Sequence, residues 1–341
     1  MTTLTTTLPT RSADLAPAEP RSIRARRDRG DRIFFRGTLA SGLVVLAIMA
    51  GVGLFLTLEA LDALEVAGGS FITTAEWETH SGNFGMASIM VGTVMIALVA
   101  VTIAVPVSLG TSLFIVEVAP SRLRSWLVAA VDLMAAVPSV VYGLWGAKFF
   151  QPMALGLARW ISKWFGWIPI FRVEGADHGN PLATGTVYSA STFVAGVVVA
   201  LMVIPIQAAI MREVFSQVPS GEREGAFALG ATRWGMIRIV ALPFARGGII
   251  GGTMLGLGRA LGETIAVILI ISPRFDINFR VLEAGGNSVS SLIGTRYGEA
   301  TGFELSALMA AGLALFAVTL VVNFTASAFV ARSRSGAESE A

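Results

Sequence analysis

Long apolar runs separated by short charged segments dominate the chain. Blocks with little or no charge cover about Leu39–Leu58, Phe84–Val116, Trp126–Phe150, Val187–Met211, Gly247–Ile271 and Leu305–Val330. Each reaches the ~20 residues that a helix needs to cross ~30 Å of hydrocarbon. Because a spanning backbone must satisfy its own hydrogen bonds, the pattern predicts an all-α membrane protein with six transmembrane helices. The second block is too long for one simple span, so Pro106 is expected to break it into a span ending near Ala104 and a shorter segment running to Glu117. Pro138 is expected to kink the third block.

The flanking segments assign sides. Residues 1–30 are rich in Thr, Pro, Ala and Arg and poor in bulky apolar side chains, which predicts a disordered tail. The first apolar block exceeds the h-region of a signal peptide and no A-x-A-like site follows it, so a retained first span is expected. With the N-terminus in the cytoplasm, seventeen Lys and Arg fall on the inner side, seven fall outside, and Arg259 lies within a span. The positive-inside bias therefore predicts that both termini are cytoplasmic. The expected organisation is a tail (1–30), a first span with its outer loop (31–83), a membrane domain (84–330) holding the inner loop 212–246, and a C-terminal tail (331–341). In the outer loop 151–186, Trp160, Trp164, Phe165 and Trp167 beside Arg159 and Lys163 suit a short helix in the outer headgroup layer. His80 and His178 read as polar surface.

Composition narrows the chemistry. The 341 residues are 54% hydrophobic and 14% charged, with no cysteine, so disulfides, thiolate metal sites and a cysteine nucleophile are all excluded. Only Lys148 and Lys163 are lysines, and neither closes a G-x-x-x-x-G-K-[ST] loop, so the chain holds no conventional P-loop. A net charge of +2 lends no support to nucleic-acid binding.

Two stretches carry candidate chemistry. The first is the inner loop from Glu224 to Pro243. Ser220 is placed to cap a short helix over 221–229 that ends at Gly230, and Thr232 to cap a second. The second helix runs through Trp234, Ile237 and Val240 until Leu242-Pro243 forces a change of direction. The other stretch is GGTMLGLGRALGETIAV in the fifth block, where Arg259 lies about 18 Å along a helix from Gly247. An arginine at such depth costs ~3 kcal/mol unless it meets a polar interior or a partner. Glu263, at i+4, is expected on the same face. The two either neutralise each other and lock packing or line a polar path. Gly248, Gly252 and Gly256 recur every four residues, suiting close helix packing. Asp132 either pairs with a basic group near the inner loop or lines the path.

Glu224-Gly225-Ala226, then Gly230, then Val240-x-Leu242-Pro243 resembles the cytoplasmic signature loop of ABC importer permeases, with Gly225 for the usual alanine and Val240 for isoleucine. GGTMLGLGRALGETIAV, AAVPSVVYGLWG (135–146) and GNSVSSLIGTRYGEA (286–300) together resemble the PstC family, membrane subunits of phosphate ABC importers. The resemblance implies a type I importer permease fold in which the 224–243 loop is a coupling helix docked on an ATPase. It implies a bacterial cell membrane location and a second, PstA-like permease. The further partners are two PstB-like ATPase subunits and an extracytoplasmic PstS-like phosphate-binding protein. No cofactor is expected on this chain, ATP being used by the partners. Arg259 and Glu263 would then serve phosphate passage. A guanidinium fork suits phosphate oxygens, and a carboxylate can accept a hydrogen bond from the protonated oxygen that hydrogen phosphate carries and sulfate lacks. A PstA-like or other oxyanion permease, a self-sufficient channel or secondary transporter, and a membrane signalling subunit are the alternatives.

Overall fold

Each apolar block becomes helical in the computed structural model, which describes residues 29–176 and 187–334. Two compact units divide between Val52 and Gly53. The described part of the first is residues 29–52 of α1 (Arg29–Glu59), exposed on every side and apolar after its first turns, as a helix that faces lipid should be. His178 and parts of both expected tails lie outside the described residues.

The second unit is built on α3 (Ala87–Leu113), α7 (Thr192–Ser216) and α10 (Leu242–Leu261), with α3 against α7 as its most extensive helix pair. Ala97, Ala100 and Ala104 of α3 face Val194, Val198 and Val203 of α7 in a fully buried seam. Small side chains on one helix opposite β-branched ones on the other bring the backbones close, the driving arrangement where lipid and protein are equally apolar. α13 (Phe303–Arg334) packs on α10 and on α2 (Leu61–Ala67). At its start, Phe303 meets Phe84 of a small hairpin, β1 (Trp77–Glu78) with β2 (Asn83–Phe84), whose turn leaves His80 exposed.

One of the two prolines departs from expectation and the other exceeds it. Pro106 does not break the second block: α3 runs through it and closes in a wide π turn, Phe114–Val118, giving one helical run of 32 residues. Packing along α7 holds the run straight, and Ser108 anchors it by donating to the Ile204 carbonyl at 3.0 Å. Losing one hydrogen bond costs less than unpacking that seam. Pro138 does more than kink. α4 (Ser121–Ala136) stops, Val137 and Pro138 are extended, and a second helical run turns away by 88°. A residue before proline is disfavoured in the helical region, and here the chain leaves the helix at that residue. The second run joins α5 (Ser139–Trp145), a π turn and α6 (Gln151–Phe165), so the expected separate outer helix is the end of a continuous one. Along α6, Ala154, Ala158 and Ser162 are buried while Trp160, Trp164 and the following Trp167 are exposed.

The fifth block is interrupted as well. α10 ends at Leu261, Gly262–Thr264 leave the helix, and α11 (Ile265–Ile270) resumes it. The chain then returns to place α12 (Val289–Arg296) against α11. Among the described residues five helices are long and apolar enough to span a membrane, and the bent α4/α5–α6 pair makes six.

Candidate functional site

The loop between α7 and α10 forms a compact knob. α8 (Ser220–Ala228) begins with Pro219 in the capping position, so Ser220 is its first residue and makes no cap bond, contrary to expectation. Its end is a complete Schellman motif. Gly230 adopts φ +84, its N–H bonds the Phe227 carbonyl at 2.9 Å, and Ala231 N–H bonds the Ala226 carbonyl at 3.0 Å. Thr232 caps α9 (Arg233–Met236) by accepting from Gly235 N at 3.1 Å. Leu242-Pro243 does not turn the chain: a π turn over Ile237–Ala241 carries α9 into α10, and residues 233–261 form one helical run. Pro243 is the second residue of α10, directly after the π turn. Glu224, Gly225 and Gly230 are exposed, Ala226 and Leu242 half-buried. Beside them Leu229 (92% exposed), Phe227, Trp234 and Ile239 present an apolar surface.

At the other end of α10 the geometry departs from the i, i+4 expectation. Arg259 lies in the last turn of α10 and is exposed, whereas Glu263 lies past the helix end and is buried. They form no ion pair, and Glu263 instead caps α11 by accepting from Ala266 N at 3.4 Å. Among the described residues Arg259 has no carboxylate partner, although its charge reaches Tyr142 of α5. The freed Leu261 carbonyl accepts from Ser290 Oγ at 3.3 Å. Ser290 belongs to a buried polar turn opening α12. There Ser288 and Ser291 form a reciprocal capping box, Asn287 Oδ1 accepts from Ser288 N and Ser291 Oγ, and Val289 N donates to Thr93 Oγ1 of α3 at 3.0 Å. The broken backbone is thus satisfied by side chains, the condition for irregular structure at membrane depth.

Gly248, Gly252 and Gly256 line α10 where it crosses α7. A Cβ on Gly248 would collide with Val214 and one on Gly256 with the amide of Gln207, while Gly252 has just room beside Ile210. Gln207 is fully buried and accepts from Ser108 at 3.3 Å. Asp132 lies 3.5 Å from Arg212 of α7 and is half-exposed.

Sequence reasoning missed Glu117 and Arg223, 3.1 Å apart between the end of α3 and α8. It also missed the Asn287–Ser291 turn, although the clustered small polar residues in an apolar setting were the available signal. At the opposite end from the knob, Arg280 bonds Glu174 and, at 3.1 Å, Glu283, while Arg274 pairs with Asp276 at 3.0 Å. The hydrogen bond and charge of Arg280 hold the Glu174 carboxyl below its ordinary range.

The model of the family described as binding-protein-dependent transport system inner membrane components matches residues 108–335. The chain belongs to that family of multi-pass membrane transport subunits. It is 37% identical over 291 residues to the phosphate transport system permease protein PstC of Pasteurella multocida (strain Pm70), covering 85% of this chain and 88% of the relative. Over 312 residues it is 35% identical to PstC 2 of Mycobacterium tuberculosis, covering 90% and 94%. In fold it is similar to a chain of a bacterial ABC transporter involved in alginate import, with TM-score 0.52 and 17% identity over 89% of this chain and 99% of that one. The architecture is that of a type I ABC importer permease.

Proposed function

We infer that the chain is the permease subunit of an ATP-driven phosphate importer. It would line the path with a second, PstA-like permease, receive phosphate from an extracytoplasmic PstS-like binding protein and be driven by two PstB-like ATPases. Its similarity to phosphate transport system permease proteins supports the cargo. The observation that carries the mechanism is one helical run, 233–261, with the exposed apolar knob at its start and the exposed Arg259 near its end. A displacement of the knob is delivered along that run to the guanidinium.

In this reading both termini and the knob face the cytoplasm, in the bacterial cell membrane, as the arginine count implies. ATP is bound and hydrolysed by the partners, this chain having no P-loop. Residues 224–243 dock on an ATPase. Arg259 offers a permanently charged fork to phosphate oxygens. Glu263, at the adjoining break, disfavours anions without a proton to donate. Reconstitution with the ATPase, second permease and binding protein of the same operon tests this directly. ATP-dependent uptake of phosphate, exceeding that of sulfate and molybdate, is the expected result. Uptake of sulfate alone would overturn the cargo and leave the transporter class standing. Uptake that survives deletion of the knob would instead favour a self-sufficient carrier.

A further inference from the structure

The knob is joined by the chain to two spans only, to α7 through residues 217–219 and to α10 through the π turn. Its connection to α3 is made by side chains. Glu117, on the closing turn of α3, has a side chain only 6% exposed, and Arg223 of α8 lies 3.1 Å from it. Glu117 Oε1 is sealed from solvent and has no hydrogen-bond partner among the described residues, so the Arg223 charge is what offsets its burial. The same guanidinium donates from Nη2 to the Phe215 carbonyl at 2.7 Å, on the last turn of α7. Around the pair, Leu109, Leu113 and Val116 of the α3 run pack on Met211, Phe215, Met236 and Ile237. Apolar contacts of that kind permit sliding. Separating Arg223 from Glu117 strands a desolvated carboxylate, so the pair resists it.

We propose that the Arg223–Glu117 pair is the latch by which the knob moves α3, a span it does not adjoin in sequence. Arg223 is thereby a positioning residue for transport rather than part of the docking surface. α3 carries the motion onward. Thr93 Oγ1 holds the first N–H of α12, Gly92 lies directly against the Asn287 backbone, and Ser290 of the same turn bonds the last carbonyl of α10 beside Arg259. A knob displacement so reaches the break by two routes, along α10 and along α3.

The inference rests on the ATP-driven reading above, and its test separates the two. The complete complex is reconstituted in proteoliposomes, and phosphate uptake and ATP hydrolysis are measured together. Wild-type complex without ATP-dependent phosphate uptake would overturn the function and not the latch. With an active wild type, Glu117→Gln and Arg223→Gln should each lower the phosphate moved per ATP hydrolysed roughly tenfold, the size of a typical coupling effect. The exchanged pair, Glu117→Arg with Arg223→Glu, should recover most of the ratio. An unchanged ratio in both single variants, or no recovery in an exchanged complex that assembles, overturns the proposal. Should a single variant fail to assemble, the double Gln variant removes both charges of the pair. A low ratio in that assembled complex supports the latch, and a wild-type ratio overturns it.

Discussion

Arg223 at the knob and Arg259 at the helix break are the same chemical group in two contrasting settings. The chain compensates the first internally, with the buried Glu117 and the Phe215 carbonyl. It leaves the second exposed at the end of α10, although a carboxylate, Glu263, stands four residues away. The break at Gly262–Thr264 makes the difference: on an unbroken helix Glu263 would share the face of Arg259, whereas here it turns inward to cap α11. A cation within an apolar block that meets no carboxylate among the described residues calls for an anion, water or another subunit beside it. Under the proposed function, this contrast places transmission at the knob end and ligand contact at the break.

The largest expected effect tests the break. Arg259→Ala should reduce phosphate uptake by the reconstituted complex on the order of a hundredfold, the loss of a charged hydrogen-bonding fork, with Arg259→Lys recovering part. Wild-type uptake by Arg259→Ala would erase the distinction between the two arginines. Next comes the stripe that fixes α10 on α7. Gly256→Leu drives a side chain into Gln207 and should cost about 1–3 kcal/mol, read as a fall in melting temperature of the detergent-purified chain. Gly251→Leu, with open space around it, is the control and should change little.

Within the knob the effects are smaller and of opposite sign. Gly230→Ala forces a Cβ into φ +84 and should cost about 1–2 kcal/mol. Gly225→Ala, in an exposed helix with nothing within 4 Å, should stabilise by up to ~1 kcal/mol. A destabilised Gly225→Ala would mean the knob is shaped differently. The smallest effect lies on the far side, at exposed Glu174. Its folded-state carboxyl is depressed by Arg280, so the contribution of the pair is present above the ordinary carboxylate range and lost as pH falls through the depressed value. Wild type and Glu174→Gln should therefore differ slightly in melting temperature near neutral pH and converge in acid.

Residue order alone determined the number of apolar blocks, the sidedness expected of the knob, and the local chemistry of Gly230 and Thr232. Hydrophobic length, charge bias and capping depend on residues a few positions apart, so they can be read along the chain. It also marked Arg259 and Glu263 as charges within a span, but it mistook their relation. Tertiary structure alone decided that Pro106 lies inside a continuous helix, that the fifth block breaks after Leu261, and that Glu117 pairs with Arg223. The physical reason is common to all three: each outcome is chosen by what packs or bonds across the site, whereas the helix end at Pro138 follows from the backbone restriction on the residue before it. For Pro106 that is the α7 seam, for the Leu261 carbonyl Ser290, and for Glu117 a guanidinium more than a hundred residues along the chain.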